Sequence, residues 1–299
     1  MPAERVAVLG LGHMGEAMAR RLSDVGFSLV LHNRTAQRAQ ELAAELGARA
    51  APSPAEAAAQ ADVMITMVAD DDAVRAVCRG GEGILAGAQP GSVTVQTSTI
   101  LPGTVGELGA EFAERGLGFL DAPVSGSTAT TAKGELAFMV GGSSDDLERA
   151  RPVLEALGKR IFELGAVGNG AAVKLAVNDI IMALDVAISE ALVLAEAAGV
   201  ERGAAYDVFA GGAAGAPFLQ YKRNSFLSPE STPPAFSLEL AQKDMSLILA
   251  LAERTRTRMA QAEVNLESLR SAAAALGGER DFSEVATHLR SQRARQQEE

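Results

Sequence analysis

Val6-Ala7-Val8-Leu9-Gly10-Leu11-Gly12-His13-Met14-Gly15 decides the fold. Four strand-forming apolar residues run into a GxGxxG turn, and a helical pattern follows to about Asp24. In that order the motif signifies a dinucleotide site rather than a plain glycine-rich connector. Gly10 allows the tight turn, Gly12 lets backbone approach a pyrophosphate, and Gly15 lets the helix pack on the strand. Phosphates then meet the N–H groups at the positive end of the helix, so Leu11, His13 and Met14 join the glycines as cofactor-binding candidates. A second strand, Ser28-Leu29-Val30-Leu31-His32, ends at Asn33-Arg34-Thr35. An NAD-preferring site would place a carboxylate there against the ribose 2′-hydroxyl. This chain offers an arginine suited to a 2′-phosphate, so Asn33, Arg34 and Thr35 predict NADP in preference to NAD.

The pattern continues outward as alternating strands and helices. Asp62 to Val68 reads as a buried strand, with Val68 at its end assigned to the cofactor site, and a helix begins near Asp71. Further strands are expected at Val93 to Gln96, Leu117 to Asp121, Phe138 to Val140 and Arg160 to Leu164. Helices are expected from Pro102 to about Arg115 and from Asp145 to Leu157. Such alternation predicts a doubly wound, largely parallel sheet of Rossmann type. After Gly170 the strand signals stop. Ala171 to Ala198 is one apolar-rich run without glycine or proline, a helix of roughly 40 Å. Helical segments follow at 201–210, 236–254 and 258–276, separated by loops at Gly211 to Pro217 and Ser228 to Pro234. The expected organisation is an α/β domain over 1–167 and an all-α domain over 168–299, joined by the long helix. That helix is apolar on several sides, which predicts a homodimer or homotetramer.

Composition excludes several classes. No apolar run reaches the ~18 residues of a membrane span, and a strand beginning within five residues of Met1 leaves no room for a signal peptide. Cys78 is the only cysteine, so no disulfide forms within the chain; it reads as a small buried hydrophobe, and a cytoplasmic protein is expected. A formal charge of −11 argues against nucleic acid as a partner. The basic stretch Arg290 to Arg295 reads as a solvated helix end, and no metal site is predicted. Of 27 basic residues only five are lysines, Lys133, Lys159, Lys174, Lys222 and Lys243. Lysine can lose its proton where its surroundings lower its pKa, whereas arginine effectively cannot.

Three further segments carry chemistry. Asp121-Ala122-Pro123-Val124-Ser125-Gly126-Ser127 leaves the C-terminal end of a strand, where open α/β sheets bind ligands. Gly126 can take unusual dihedrals, so backbone N–H groups and the Ser125 and Ser127 hydroxyls can converge on a carboxylate. In Gly168-Asn169-Gly170 through Lys174 to Asn178 and Asp179, Lys174 and Asn178 share a helical face. The positive helix end and partial desolvation would lower the lysine's pKa into the range of a general acid or base. Asn178 would hold a hydroxyl or the lysine. Gln242-Lys243-Asp244 opens a later helix, where Asp244 is expected for dipole reasons and Lys243 needs another reason.

Together these segments resemble the β-hydroxyacid dehydrogenase family over essentially the whole chain. The resemblance implies a catalytic Lys174 assisted by Asn178, and a substrate-carboxylate site at Ser125, Gly126 and Ser127. It further implies that Thr99 and Lys243 lie beside the nicotinamide. Asn33-Arg34-Thr35, with Pro234-Ala235-Phe236 leading into Gln242-Lys243-Asp244, looks most like the glyoxylate and succinic semialdehyde reductase branch, which implies that Phe236 lines the active site. Two positions depart from the pattern: Asp179 replaces a second asparagine, and Ser127 replaces a glycine. The leading expectation is an NADPH-dependent reductase of a small aldehyde- or keto-acid. Hydride would pass between nicotinamide C4 and the carbonyl carbon while Lys174 protonates the alkoxide. The alternatives are an imine reductase, whose resembling members carry aspartate or tyrosine in place of Lys174, and a cofactor-binding scaffold without turnover.

Overall fold

The computed structural model describes residues 5–298. They divide into two compact units, the first ending at Lys174 and the second beginning at Leu175.

The first unit is built on a six-stranded sheet. Its strands are β1 (Arg5–Leu9), β2 (Ser28–His32), β3 (Arg49–Ala50), β4 (Val63–Thr66), β5 (Val93–Gln96) and β6 (Gly118–Asp121). They lie in the order β3-β2-β1-β4-β5-β6, every pair parallel. The central strands β1, β4, β5 and β6 are almost wholly buried because helices cover both faces, whereas the short edge strand β3 is exposed. On one face Met18 and Leu22 of the helix His13–Asp24 meet Val153 and Leu154 of the helix Ser144–Leu157. On the other, Val74, Ile84, Val105 and Phe112 form the core. Cys78 is buried there, and burial pushes its thiol up to about 12. Strand order reverses between β1 and β4, the switch point at which ligands enter such sheets.

The last two expected strands do not extend this sheet. β7 (Val124–Ser125), β8 (Leu136–Val140) and β9 (Gly158–Glu163) form a separate sheet, with β7 antiparallel and β9 parallel to β8. The chain leaves the first sheet at Asp121, whose backbone exchanges hydrogen bonds with Gly141. Pro123, two residues on, has no N–H with which to continue a ladder.

In the second unit the helix Asn169–Ala197 supplies Leu175, Met182, Ile188 and Leu192 to a core shared with Tyr206, Phe218, Phe226, Met245, Leu269 and Phe282. The helices Arg202–Gly211, Leu238–Thr255 and Ala260–Leu276 match the sequence reading. Pro217–Leu227, where the sequence pattern predicts no helix, is one: Pro217 occupies its first turn, and Phe218, Leu219, Lys222 and Phe226 are its buried side. The basic stretch near the end is not a solvated helix end throughout. It lies on the helix Val285–Glu298, where Arg290 donates to Glu196 at 2.8 Å, and Glu196 also accepts from Arg202 at 2.9 Å.

Lys222 is buried. Its Nζ lies 2.5 and 2.7 Å from the two carboxylate oxygens of Asp281 and 4.3 Å from the centre of the Phe282 ring. Asp185, also fully buried, has no hydrogen-bond partner on either oxygen, and burial pushes its carboxyl well above the usual range. No helix among the described residues is long and apolar enough to cross a membrane.

Candidate active site

The glycine loop between β1 and the helix His13–Asp24 admits no other residue at two positions. Gly10 has φ +96°, and a Cβ there would lie 2.3 Å from the Met67 carbonyl oxygen. A Cβ on Gly15 would sit 1.9 Å from the Gly10 carbonyl oxygen. Gly12 borders open space and precedes the helix without a side-chain cap, so the N–H groups of the first turn face outward for an anion. The Leu11 N–H is not among them: it donates to Asn33 Oδ1 at 3.0 Å, and Asn33 Nδ2 donates to the Thr35 carbonyl. Asn33 therefore holds the loop in shape, a role its place after β2 did not reveal. Arg34 and Thr35 are exposed just beyond that strand. Arg38, one helical turn on, is tied to Glu16 at 3.1 Å.

The neighbouring strand ends are fastened to one another. Val68 lies against Gly10, and its N–H donates to Ser98 Oγ at 2.9 Å. Gln96 at the end of β5 accepts from the Ser98 N–H and donates to the Ser98 carbonyl. Thr99 follows directly, half-buried between the fixed Ser98 and the fully buried Ile100. Gly10, Val68 and Thr99 thus follow the C-terminal ends of β1, β4 and β5, neighbouring strands of the sheet.

After β6 comes the predicted carboxylate turn. Gly126 has φ +145°, and a Cβ there would meet Thr130 Oγ1 at 2.6 Å. Ser127 is partly committed to local structure. Its Oγ caps the helix Thr128–Ala132 by accepting from the Thr130 N–H, and its own N–H donates to Thr130 Oγ1 at 2.7 Å. Of its polar groups the hydroxyl hydrogen remains for an anion, while Ser125 is half-buried on β7.

Asp121 connects this turn to the helix bearing Lys174. Its Oδ2 accepts from the Gly168 N–H at 3.0 Å and the Ala171 N–H at 2.8 Å, where the helix Asn169–Ala197 begins. Burial pushes this carboxyl up to about 6, against the backbone donors that stabilise its charge. Its place at a strand end in the sequence gives Asp121 no evident task. Lys174 follows one turn later and is half-buried. The charge on Asp121 opposes the positive helix end that the sequence argument assigned to the lysine's surroundings.

In the second unit Asn178 is buried and donates from Nδ2 to Asp244 Oδ2 at 2.6 Å. Lys243 Nζ lies 2.7 Å from the other oxygen of the same carboxylate. Asp244 is therefore not a surface acid placed for the dipole. It is buried in the second turn of Leu238–Thr255 and fixes both candidates, leaving Asn178 Oδ1 as an acceptor. Phe236 packs edge-on against Phe282 at 5.5 Å. Its N–H and that of Ala235 donate to Asp281, the partner of Lys222. Asp179 is half-buried, and burial raises its carboxyl.

Two sequence families match successive parts of the chain. Residues 5–165 match the NAD binding domain of 6-phosphogluconate dehydrogenase, and residues 168–289 the NAD-binding domain of NADP-dependent 3-hydroxyisobutyrate dehydrogenase. Glyoxylate/succinic semialdehyde reductase 1 of Arabidopsis thaliana is 36% identical over 94% of this chain and 96% of its own length. The NAD-dependent L-serine dehydrogenase of Pseudomonas aeruginosa is 34% identical over 94% of this chain and 96% of its own. Among solved structures, the 3-hydroxyisobutyrate dehydrogenase of Mycobacterium tuberculosis with L-serine is 33% identical and superposes with a TM-score of 0.85, covering 96% of this chain and 99% of that one. With two nucleotide-binding family matches spanning both units, and relatives alike along almost their full length, this chain belongs to the β-hydroxyacid dehydrogenase family of NAD(P)-dependent oxidoreductases.

Proposed function

We propose that this protein is an NADPH-dependent reductase of a small aldehyde- or keto-acid, running in reverse as a 3-hydroxyacid dehydrogenase. One observation carries the reading. The strand end that emits the Ser125-Gly126-Ser127 turn also holds, through Asp121, the start of the helix bearing Lys174. An anion-binding turn and a proton donor in that relation suit a substrate with a carboxylate and a carbonyl. Ser125, Gly126 and Ser127 take the carboxylate, Lys174 gives its proton to the carbonyl oxygen, and Asn178, held by Asp244, accepts a hydrogen bond through Oδ1. Phe236 closes the apolar side of the substrate. The uncapped helix start after Gly12 suits a pyrophosphate, with Thr99 and Lys243 beside the nicotinamide, which supplies the hydride when bound. Arg34, with Arg38 one turn on, suits a 2′-phosphate.

The reading is tested by turnover with glyoxylate, succinic semialdehyde, methylmalonate semialdehyde, tartronate semialdehyde and cyclic imines. Because no carboxylate stands at Asn33-Arg34-Thr35, NADPH is expected to be used at least about tenfold more efficiently than NADH, a difference of about 1.4 kcal/mol. Arg34→Ala should mainly raise the apparent NADPH constant, and equal use of both cofactors by the unmodified protein would sink the assignment. Aldehydes matched in size but lacking the carboxylate should be poor substrates, having lost the charge-assisted bonds that orient the carbonyl. Comparable efficiency on a neutral aldehyde would remove Ser125 and Ser127 from that role.

The assembly we infer is a homodimer or homotetramer with an interface along the long helix. Val173, Ile180 and Leu194, seven and then fourteen residues apart on it, are 37%, 59% and 73% exposed in the single chain, apolar positions on one side of the helix that a second copy would cover.

A further inference from the structure

We propose that Asp121 is a positioning residue for the proton transfer: its ionised carboxylate fixes the Lys174-bearing helix against the strand end from which the substrate-carboxylate turn departs. The inference rests on the reading of Lys174 as proton donor, and it assigns a second acid–base group to that site.

The geometry around Asp121 is built for close approach. Its backbone is bonded in both directions to Gly141, with Asp121 N–H to Gly141 O at 2.9 Å and Gly141 N–H to Asp121 O at 2.7 Å. Its Oδ2 then takes the N–H groups of Gly168 and Ala171. Gly170 lies between those two donors, where a Cβ would fall 2.3 Å from the Met139 carbonyl, 2.7 Å from the Asp121 carbonyl and 3.0 Å from Asp121 Oδ2. The helix start therefore touches the strand end with no side chain between them. From this point Ser125 is four residues away along one branch, and Lys174 is three beyond Ala171 along the other. A small shift at this junction moves the proton donor relative to the substrate's anchor.

The clamp depends on charge. Oδ2 meets two N–H groups at the positive end of a long helix, and such charge-assisted bonds are roughly twice as strong as neutral ones. Oδ1 is buried with no hydrogen-bond partner, so a proton arriving there weakens the clamp. The surrounding elements bring few competing charges: the helix Ser144–Leu157 packs on β6, but its Asp146 lies by Gly118 at the other end of that strand and is paired with Arg149. β5, with Gln96 in register with Asp121, carries no titratable side chain, and neither do β8 and residues 165–168. The helix Pro102–Glu114 lies against Gly168 through Pro102, and its Glu107 and Glu111 are paired with Arg79. The long helix itself brings Lys174 and Asp179. Burial pushes the Asp121 carboxyl up to about 6, so the clamp is charged above that pH and is lost as the pH falls through it.

The experiment measures kcat with NADPH and glyoxylate, together with NADPH affinity, between about pH 5 and pH 8. It compares the unmodified protein, Asp121→Asn and Lys174→Ala. The unmodified protein should lose kcat on the acid side of about pH 6 while NADPH affinity stays level. Asp121→Asn keeps an oxygen for the two N–H groups but no charge. It should bind NADPH normally, turn over at least about tenfold more slowly at pH 7, and show no acid limb. An Asp121→Asn protein with unmodified kcat, or with its acid limb in place, overturns the proposal while an inactive Lys174→Ala leaves the functional reading standing. Substantial turnover by Lys174→Ala fells that reading and this inference with it. Should Asp121→Asn not fold, the profile of the unmodified protein decides, and a kcat that stays level down to about pH 5 overturns the proposal.

Discussion

Lys174→Ala is expected to lower the turnover number by about two or more orders of magnitude, within the range attributed to general acid catalysis. Lys174 stands one turn into a helix whose start is fixed to β6, and Asn178 lies four residues on along the same helix. Its loss should damage the chemical step and leave NADPH affinity nearly unchanged, because the glycine loop proposed to hold the nucleotide takes its shape from Gly10, Gly15 and Asn33. Lys174→Arg should be almost as inactive, since guanidinium stays protonated and its fork has a different geometry. Turnover and NADPH binding measured on both variants decide the matter. An alanine variant keeping a tenth or more of normal turnover would mean that the proton comes from elsewhere.

Lys222→Met is expected to cost about 3–5 kcal/mol of stability, the usual consequence of stranding one member of a buried ion pair. Methionine preserves most of the apolar stem over Phe282 and removes only the ammonium. Burial alone would raise the Asp281 carboxyl, but Lys222 and Ser283 outweigh it and hold it below the ordinary range. The pair's stabilisation is therefore present above the ordinary carboxyl pKa and is lost as pH falls through the depressed one. Without Lys222, Asp281 is a buried anion, and the buried Asp185 loses the nearby ammonium that opposes the rise of its carboxyl. Urea unfolding at neutral pH measures the cost, and a loss below about 1 kcal/mol would show that water enters and solvates Asp281. If Phe236 contacts the substrate as proposed, the variant should also weaken binding of the proposed acid substrate, because Asp281 binds the N–H groups of Ala235 and Phe236.

Some of this is legible in the sequence alone. The strands of the main sheet are short apolar runs between turn residues, and a parallel sheet covered on both faces requires that composition wherever it occurs. The glycine loop, the absence of a carboxylate after β2 and the unbroken apolar run from Ala171 are local patterns that reveal themselves in isolation. Lys174, Asn178 and Ser125 stand out by residue type and spacing, whereas Phe236 is nominated only by the family resemblance, which rests on short motifs.

The tertiary structure decided what depends on partners distant in sequence. The two-residue strand β3 carries too little pattern to be read, and β8 and β9 form their own sheet because Asp121 and Pro123 turn the chain away from the first. The helix Pro217–Leu227 shows no clean apolar face in the sequence because its buried side includes a lysine. That lysine can be buried only because Asp281, 59 residues later, meets it. Asp121 and Asp244 read as ordinary acids for the same reason: a carboxylate acquires its role from the donors brought to it, Gly168 and Ala171 in one case and Asn178 and Lys243 in the other. Residue types along the chain determined the elements and nominated the chemistry. Burial and long-range pairing, which no local pattern encodes, selected which charges hold that chemistry in place.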